Sequence, residues 1–598
     1  MVTAAAGFLF VMVGMHNLWF FGKGLPMNGY PPVQYVQSGA YKIFKHPIYT
    51  GFCLMCAGVS CWFNSSSGLF LVTPVVILTC WALLAGYEIP DLKKRFSNLT
   101  QSKSFFGLVE RGEEHPSVVE KLKAAVNIFL PWAILYELFV WLGVRSYFID
   151  TNFTAEKGWP VIEWSVMPYV SIYLFAGLAP FLQRKKSDLR MFMQNAWWTI
   201  GIGSFLLFVF PFYATQRTFE STGLFGELIL SERGIDSAAA AFPSFHVMWS
   251  LVSARAWTTA FKKLKLLWWL WAILISASCS TTGNHSVADV LAGVVVYEMI
   301  VHRATIWKYI QSKCEQLANS WKSFQIGPVR VINHSFYAGL GCFAGIFLVA
   351  QFIGDSRAIV LVTTATLLGG AVWGQVAEGS SIMLRPFGYY GAIIGGVIGT
   401  MACYFFLSTS LTVLITAFAL ASPVIQGIGR LRCLVQGCCH GAITTSEIGI
   451  IYLNEHSRVC KISGMRGVPI HNTQLYSMIG NFISGIVLWR LWYGGASASL
   501  LLGLYFILNG VARFVEEAYR GEVQTKIYFN LRLYQWLAVS FVIAGAIITT
   551  IPTSTPMVLH WKLNFESLSV SFVCGLMSAF AMGMDFPKSK IPFSRLTG

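Results

Sequence analysis

Seventeen apolar stretches follow one another from residue 4 to residue 584, and no other feature limits the chain's fold as strongly. They lie near 4–20, 50–62, 69–87, 124–144, 166–182, 196–213, 246–261, 266–281, 286–301, 335–352, 358–376, 388–407, 411–428, 474–492, 498–512, 534–551 and 568–584. About 20 apolar residues cross the hydrocarbon core of a bilayer as a helix, because a lipid-exposed backbone must satisfy its own hydrogen bonds. With 55% hydrophobic and 12% charged residues, the chain carries about half the charge of an ordinary soluble protein. The pattern predicts an all-α, polytopic transmembrane protein with about 15–17 spans. Disordered, collagenous and nucleic-acid-tail classes are excluded.

Lys and Arg number 43 against 27 Asp and Glu, a formal charge of +16. In a membrane chain such an excess orients helices rather than binding nucleic acid. Lys42 and Lys45, Lys93 to Arg95, Arg184 to Arg190, Lys262 to Lys265 and the stretch from His302 read as cytoplasmic. Residues 64–68, 145–164 and 214–245 then fall outside. The first apolar stretch has no basic residue before it and no small-residue cleavage site after it, so it reads as a retained segment. The 13 cysteines sit mostly in apolar stretches, which implies no disulfide framework. Polar breaks at 91–123 and 302–330 predict three membrane units, 1–123, 124–302 and 328–598, with a cytoplasmic linker at 303–327.

In the middle unit, FPSFH at 242–246 opens one apolar passage and GNHSVAD at 283–289 opens another after a return. His246 and His285 therefore lie at the same, outer, membrane surface. His285 and Asp289 are four apart on a helix, so the carboxylate can orient one ring nitrogen while the other attacks phosphorus. A second histidine can protonate a departing alkoxide, and Arg217 can clamp phosphate. FPSFH and GNHSVADVLAG resemble the second and third motifs of the type 2 phosphatidic acid phosphatase superfamily, over about residues 165–302. The resemblance implies His285 as nucleophile, Asp289 as its orienting partner and His246 as general acid. The family's first motif and the Arg of its third are not matched.

In the last unit, GIGRLRCLVQGCCHG spans 427–441, and two arginines beside glycines at a membrane edge suit an anionic head group. Arg513, Glu516, Glu517 and Arg520 are spaced to form an ion-paired ladder on one helix. Cys438, Cys439 and His440 lack the two-residue gap of a zinc knuckle, so no metal is expected. GIGRLRCLVQGCCHG, HNTQLY at 471–476, GVARFVEEAYRGE at 510–522 and LRPFGYYGAIIGG at 384–396 resemble, in order, four motifs of prolipoprotein diacylglyceryl transferase, over about residues 328–552. That family moves the diacylglyceryl group of phosphatidylglycerol to a lipobox cysteine thiol and releases glycerol phosphate, with no cofactor. The resemblance implies Arg430 and Arg513 as polarising groups and His471 for positioning or proton transfer. Tyr389, Tyr390, Gln474 and Glu517 would meet the substrate. Cys433 stands where the family has Asn, Asn472 follows His471 in place of Pro, and the histidine of the glycine-rich segment is replaced around Tyr389 and Tyr390. Counting spans from Arg330 puts loop 430–470 inside, whereas the resemblance puts it outside.

In the first unit, Gly39, Tyr41, Lys45, His46, Pro47, Tyr49 and Gly51 precede Glu88. This resembles the isoprenylcysteine and phospholipid methyltransferases, with Lys45 for Arg. The resemblance implies an S-adenosylmethionine pocket with His46, Tyr49 and Glu88.

The leading expectation is a multi-pass enzyme of a bacterial inner membrane that transfers a diacylglyceryl group, with phospholipids and prolipoproteins as partners. Two alternatives stand beside it. One makes a lipid phosphatase or head-group transferase the main activity, and the other is a transporter or scaffold.

Overall fold

The computed structural model describes residues 1–26, 30–96, 104–376, 387–522, 526–554 and 564–589. Residues 377–386, the centre of the glycine-rich segment and including Leu384 to Pro386, lie outside them. Each apolar stretch falls on a helix, and the described β-structure is limited to strands of two to four residues, so the protein is an all-α polytopic membrane protein. Among the described residues, eleven helices are long and apolar enough to cross a bilayer. The pair Val287–Val301 and Arg303–Ala318, bent by 71°, makes a twelfth where it is counted as one broken span. Pro47–Trp62, Ser335–Ala350 and Leu533–Thr549 are apolar but shorter, which is why fewer helices meet the length than the 15–17 stretches suggested.

The chain forms two compact units: Met1–Thr73 with Asn98–Trp307, and Pro74–Ser97 with Lys308–Gly598. Within the first, helix Val2–Gly22 packs on Pro47–Trp62 through small residues. A Cβ on Gly58 would lie 2.3 Å from the Ala4 amide nitrogen, so only glycine permits this backbone approach. Farther along, Val166–Leu182, Lys186–Val209, Phe245–Ala260, Lys265–Thr281 and Val287–Val301 enclose a core of Tyr169, Met193, Val247, Met248 and Ile275. Gly293 lets the last of these helices close on Val247 and the Ser244 carbonyl.

The second unit is built on Ser335–Ala350, Ser356–Val376, Tyr389–Leu407, Leu411–Gln436, Thr473–Tyr493, Ala498–Ala518, Leu533–Thr549 and Phe565–Gly583. Strand Ser323–Ile326 pairs antiparallel with Val329–Ile332, and that strand pairs with Met584–Asp585. Arg330 donates to both carboxylate oxygens of buried Asp585, at 2.9 and 2.6 Å, so the unit's first and last segments are tied together. Residues 303–327 carry helix Arg303–Ala318 and the first of these strands. Loop 437–472 packs at the same end as this ribbon: Asn319 accepts from the Leu453 amide, Asn454 donates to the Trp321 carbonyl, and His456 stacks on Trp321. The even number of helices between 334 and 437 leads to that arrangement.

Candidate active site

Three segments of the second unit bring its arginines together. Helix Leu411–Gln436 carries Arg430 near its C-terminal end, where Nε donates to Ser477 Oγ of Thr473–Tyr493 at 2.8 Å. Helix Ala498–Ala518 has an almost wholly buried face bearing Arg513, Glu516 and Glu517. Glu516 lies 3.6 Å from both Arg430 and Arg513 and pairs with Arg520. Arg520 also reaches Glu517 at 3.2 Å and Glu522 at 3.7 Å, and it holds the backbone carbonyl that Arg532 bonds. Burial pulls the Arg520 pKa down, but Glu517, Cys439 and Glu516 outweigh it and hold the guanidinium charge firmly in place. Three guanidinium groups, those of Arg430, Arg513 and Arg520, thus meet the carboxylates of Glu516, Glu517 and Glu522 in a site that water barely reaches.

Arg513 is the least satisfied member. Only 8% exposed, it has no hydrogen-bond partner at Nε or Nη1, and its guanidinium stands 5.1 Å from the centre of the Tyr389 ring. The Tyr389 hydroxyl donates to Asn509 Oδ1 at 2.8 Å, and Tyr390 donates to the Tyr534 carbonyl at 3.3 Å. Tyr389 and Tyr390 therefore wall the arginine pocket, whereas Glu517 lies behind it with its carboxylate turned to Arg520.

Below the arginines the chain makes a tight turn. Gly437, with φ +75°, closes the helix, and Cys439 also adopts a left-handed φ of 58°. This folds Cys438 and Cys439 back toward Cys433, so the three sulfurs lie within 4.8 Å of one another. His440 instead turns away, with Nε2 against Ser463 Oγ at 2.8 Å and Nδ1 against the Gly441 carbonyl. Hydrogen bonds from the Cys433 and Cys438 thiols, aided by Arg520 and Arg430, hold the Cys439 thiol well below its ordinary range. Gln474 donates to the Cys438 carbonyl at 2.9 Å, and Thr473 donates to the Cys439 carbonyl at 2.6 Å, so Gln474 shapes the turn rather than the tyrosine pocket. His471 lies beside the turn with Nδ1 3.0 Å from the Tyr476 hydroxyl, and burial together with the Lys93 charge lowers its pKa.

In the first unit His246 and His285 are brought together, with ring centres 5.6 Å apart and both side chains buried. Tyr169 stacks on His246 at 4.2 Å, and His285 Nε2 lies 3.5 Å from Ser244 Oγ. Asp289 reaches His285 Nδ1 only at 3.6 Å, an electrostatic rather than hydrogen-bonded distance. Its oxygens are committed to the Ser286 amide in a capping box and to the Thr151 hydroxyl. Arg217 approaches the same loop but donates to the Glu156 and Trp159 carbonyls. Arg233, which no motif marked, holds the histidine loop through Asn284 Oδ1 at 2.8 Å and the Thr282 carbonyl at 3.0 Å. Burial lowers the pKa of both arginines.

His46 caps helix Pro47–Trp62, and its ring meets that of Tyr49 edge-on at 6.4 Å. Glu88 lies in the other unit, with residues 74–97.

Sequence reading missed Ser477, Asn509, Arg233 and the joining of Cys433 to the cysteine pair. Each depends on a tertiary contact, although Cys433 was visible as the residue standing in for Asn.

Comparison with known proteins follows the same three-part order. The family model for prolipoprotein diacylglyceryl transferase matches residues 322–551, that of the PAP2 superfamily matches 141–302, and that of phospholipid methyltransferase matches 1–98. Phosphatidylglycerol–prolipoprotein diacylglyceryl transferase 2 of Clostridium perfringens is 29% identical over 248 residues, covering 38% of this chain and 93% of that protein. The phosphatidylglycerol–prolipoprotein diacylglyceryl transferase of Clostridium tetani is 30% identical over 199 residues, covering 31% of this chain and 75% of its own length.

Proposed function

The chain belongs to the prolipoprotein diacylglyceryl transferase family and is a multi-pass membrane transferase, and we propose that it moves the diacylglyceryl group of phosphatidylglycerol to a lipoprotein cysteine in a bacterial inner membrane. The observation that carries this reading is the buried, half-satisfied guanidinium of Arg513 beside Tyr389. A phosphodiester monoanion matches the free donors of that guanidinium. Arg430 and Arg513 hold the phosphate and stabilise the negative charge that grows on glycerol phosphate as the glyceryl carbon–oxygen bond breaks. The acceptor sulfur forms the new bond to that carbon. Donors already fixed in a dry site need no reorganisation, and losing one costs about 10²–10³ in rate.

The test is purified protein with labelled phosphatidylglycerol and a lipobox peptide, read by mass spectrometry. A thioether-linked diacylglyceryl peptide is expected, reduced about 10²–10³-fold in Arg513→Ala. Absence of that product under every condition would sink the reading.

A second activity is supported by the paired histidines of the first unit and its PAP2 superfamily match. In this reading His285 attacks a phosphate ester, His246 protonates the leaving alcohol, and water then releases the phosphate. Phosphate release that survives His285→Ala would remove it.

A further inference from the structure

The transfer proposed above needs an acceptor thiolate, yet the histidine of the family's glycine-rich segment is absent here and His471 Nδ1 is engaged with Tyr476. A free thiol has a pKa of about 8.5 and is mostly protonated at neutral pH. Something else in this site must generate the nucleophile.

The turn beside the arginines has the composition and spacing to do so. Cys433, Cys438 and Cys439 place their sulfurs within 4.8 Å of one another, and each is partly exposed. Three thiolates at about 2.3 Å from one tetrahedral zinc ion would stand about 3.8 Å apart, a spacing that falls within the trio's 4.8 Å limit. The backbone is fixed for this purpose. Cys439 holds a left-handed φ that side chains other than glycine rarely adopt, and the carbonyls of Cys438 and Cys439 are pinned by Gln474 and Thr473. The Cys439 amide is held by Glu522 Oε1 at 3.0 Å. His440 cannot supply a fourth ligand while both its ring nitrogens face Ser463 and Gly441.

We propose that Cys433, Cys438 and Cys439 form a zinc site of three thiolates whose open fourth position takes the acceptor thiol. This rests on the diacylglyceryl-transfer reading and revises the expectation that the site needs no metal. Soft thiolate ligands select zinc among the common divalent ions, and a zinc site with three protein ligands keeps a position for substrate. Coordination deprotonates the incoming thiol outright. The sulfur then attacks the glyceryl carbon, a carbon–sulfur bond forms as the carbon–oxygen bond to phosphate breaks, and glycerol phosphate leaves with that electron pair and the thiol's proton. Zinc with four thiolates carries two negative charges, which Arg430 and Arg520, both within electrostatic reach of Cys439, offset.

The experiment uses the full-length protein purified in detergent. Elemental analysis should find about one zinc per chain, lost in Cys438→Ser and in Cys433→Ser but retained in Cys460→Ser, whose sulfur faces the Tyr452 carbonyl. Cobalt(II) loaded into the metal-free protein should show sulfur-to-cobalt charge transfer, and a lipobox peptide should change the cobalt spectrum. That readout is independent of turnover and of whether each serine variant folds. Removing zinc should lower thioether formation at least 100-fold, with recovery on adding zinc. Unchanged transfer by metal-free protein would overturn the zinc site and leave the diacylglyceryl reading intact. Copper(I) saturated by the three sulfurs would overturn it too. A zinc-loaded, thiol-responsive protein that makes no thioether would support the site and count against the reading on which its role rests.

Discussion

Glu516 answers to three guanidinium groups at once, those of Arg430, Arg513 and Arg520, and its side chain is buried with them. Removing one partner from a buried ionic cluster leaves the others uncompensated, which costs about 3–5 kcal/mol. Glu516→Gln keeps the shape and loses the charge, so it should lower the thermal midpoint of the second unit by several degrees in detergent. An unchanged midpoint would mean that the arginines are solvated. His334 offers a contrasting case, buried at the start of helix Ser335–Ala350 with no hydrogen-bond partner on either ring nitrogen among the described residues. Burial, then Arg432 and Arg330, push its pKa well below the ordinary value. The unfolded chain therefore binds the proton first, so stability is full above about pH 6.5 and declines as pH falls below it. His334→Leu should flatten the fall in melting temperature between pH 7 and pH 5, and a profile identical to wild type would exclude this histidine as its source. The sequence made Arg430, Arg513, His285 and Asp289 legible because the chemistry needs those residue types at those spacings. Ser477 and Arg233 were not legible, since each acts through a partner 47 or 51 residues away.

Helices were the most legible elements, since an apolar run in lipid has only one backbone solution open to it. The turns that aim side chains into the site were harder to read, because they are written in backbone contacts. Gly441 shows this: its amide donates to the His471 carbonyl and it bridges to Arg520, while the Gly521 amide donates to the His440 carbonyl. A Cβ on Gly441 would lie 2.2 Å from the His471 carbonyl oxygen, and one on Gly521 would lie 2.3 Å from the Gly441 carbonyl oxygen. Neither neighbour is a flexible side chain that could yield. Gly441→Ala should therefore push the turn out of register, destabilising the unit by about 1–3 kcal/mol and reducing transfer far more than that loss explains. Transfer at the wild-type rate would show that the turn does not position reacting groups.

The whole molecule joins three recognisable sequence families into two compact units, and the mismatch has a physical origin. Apolarity announces a membrane helix without saying which neighbour it packs on. Residues 74–97 read as part of an N-terminal unit, yet Gly86 backs onto Phe514 and its carbonyl accepts from Gln535, so they belong with the arginine site's unit. The paired histidines and the buried arginines fall in different units. If each is a complete catalytic centre, their losses should be orthogonal, as for sites that share no partners. His285→Ala should abolish phosphate release from a lipid phosphate or from glycerol phosphate while thioether formation continues within about twofold of wild type. Arg513→Ala should do the reverse. Both reactions are measurable on one preparation, by inorganic phosphate and by mass of the lipidated peptide. Should His285→Ala also slow thioether formation when glycerol phosphate is allowed to accumulate, but not when it is removed by an added phosphatase, the first unit clears the product of the second. Should it slow transfer under both conditions, the two centres are coupled through the protein and are not independent.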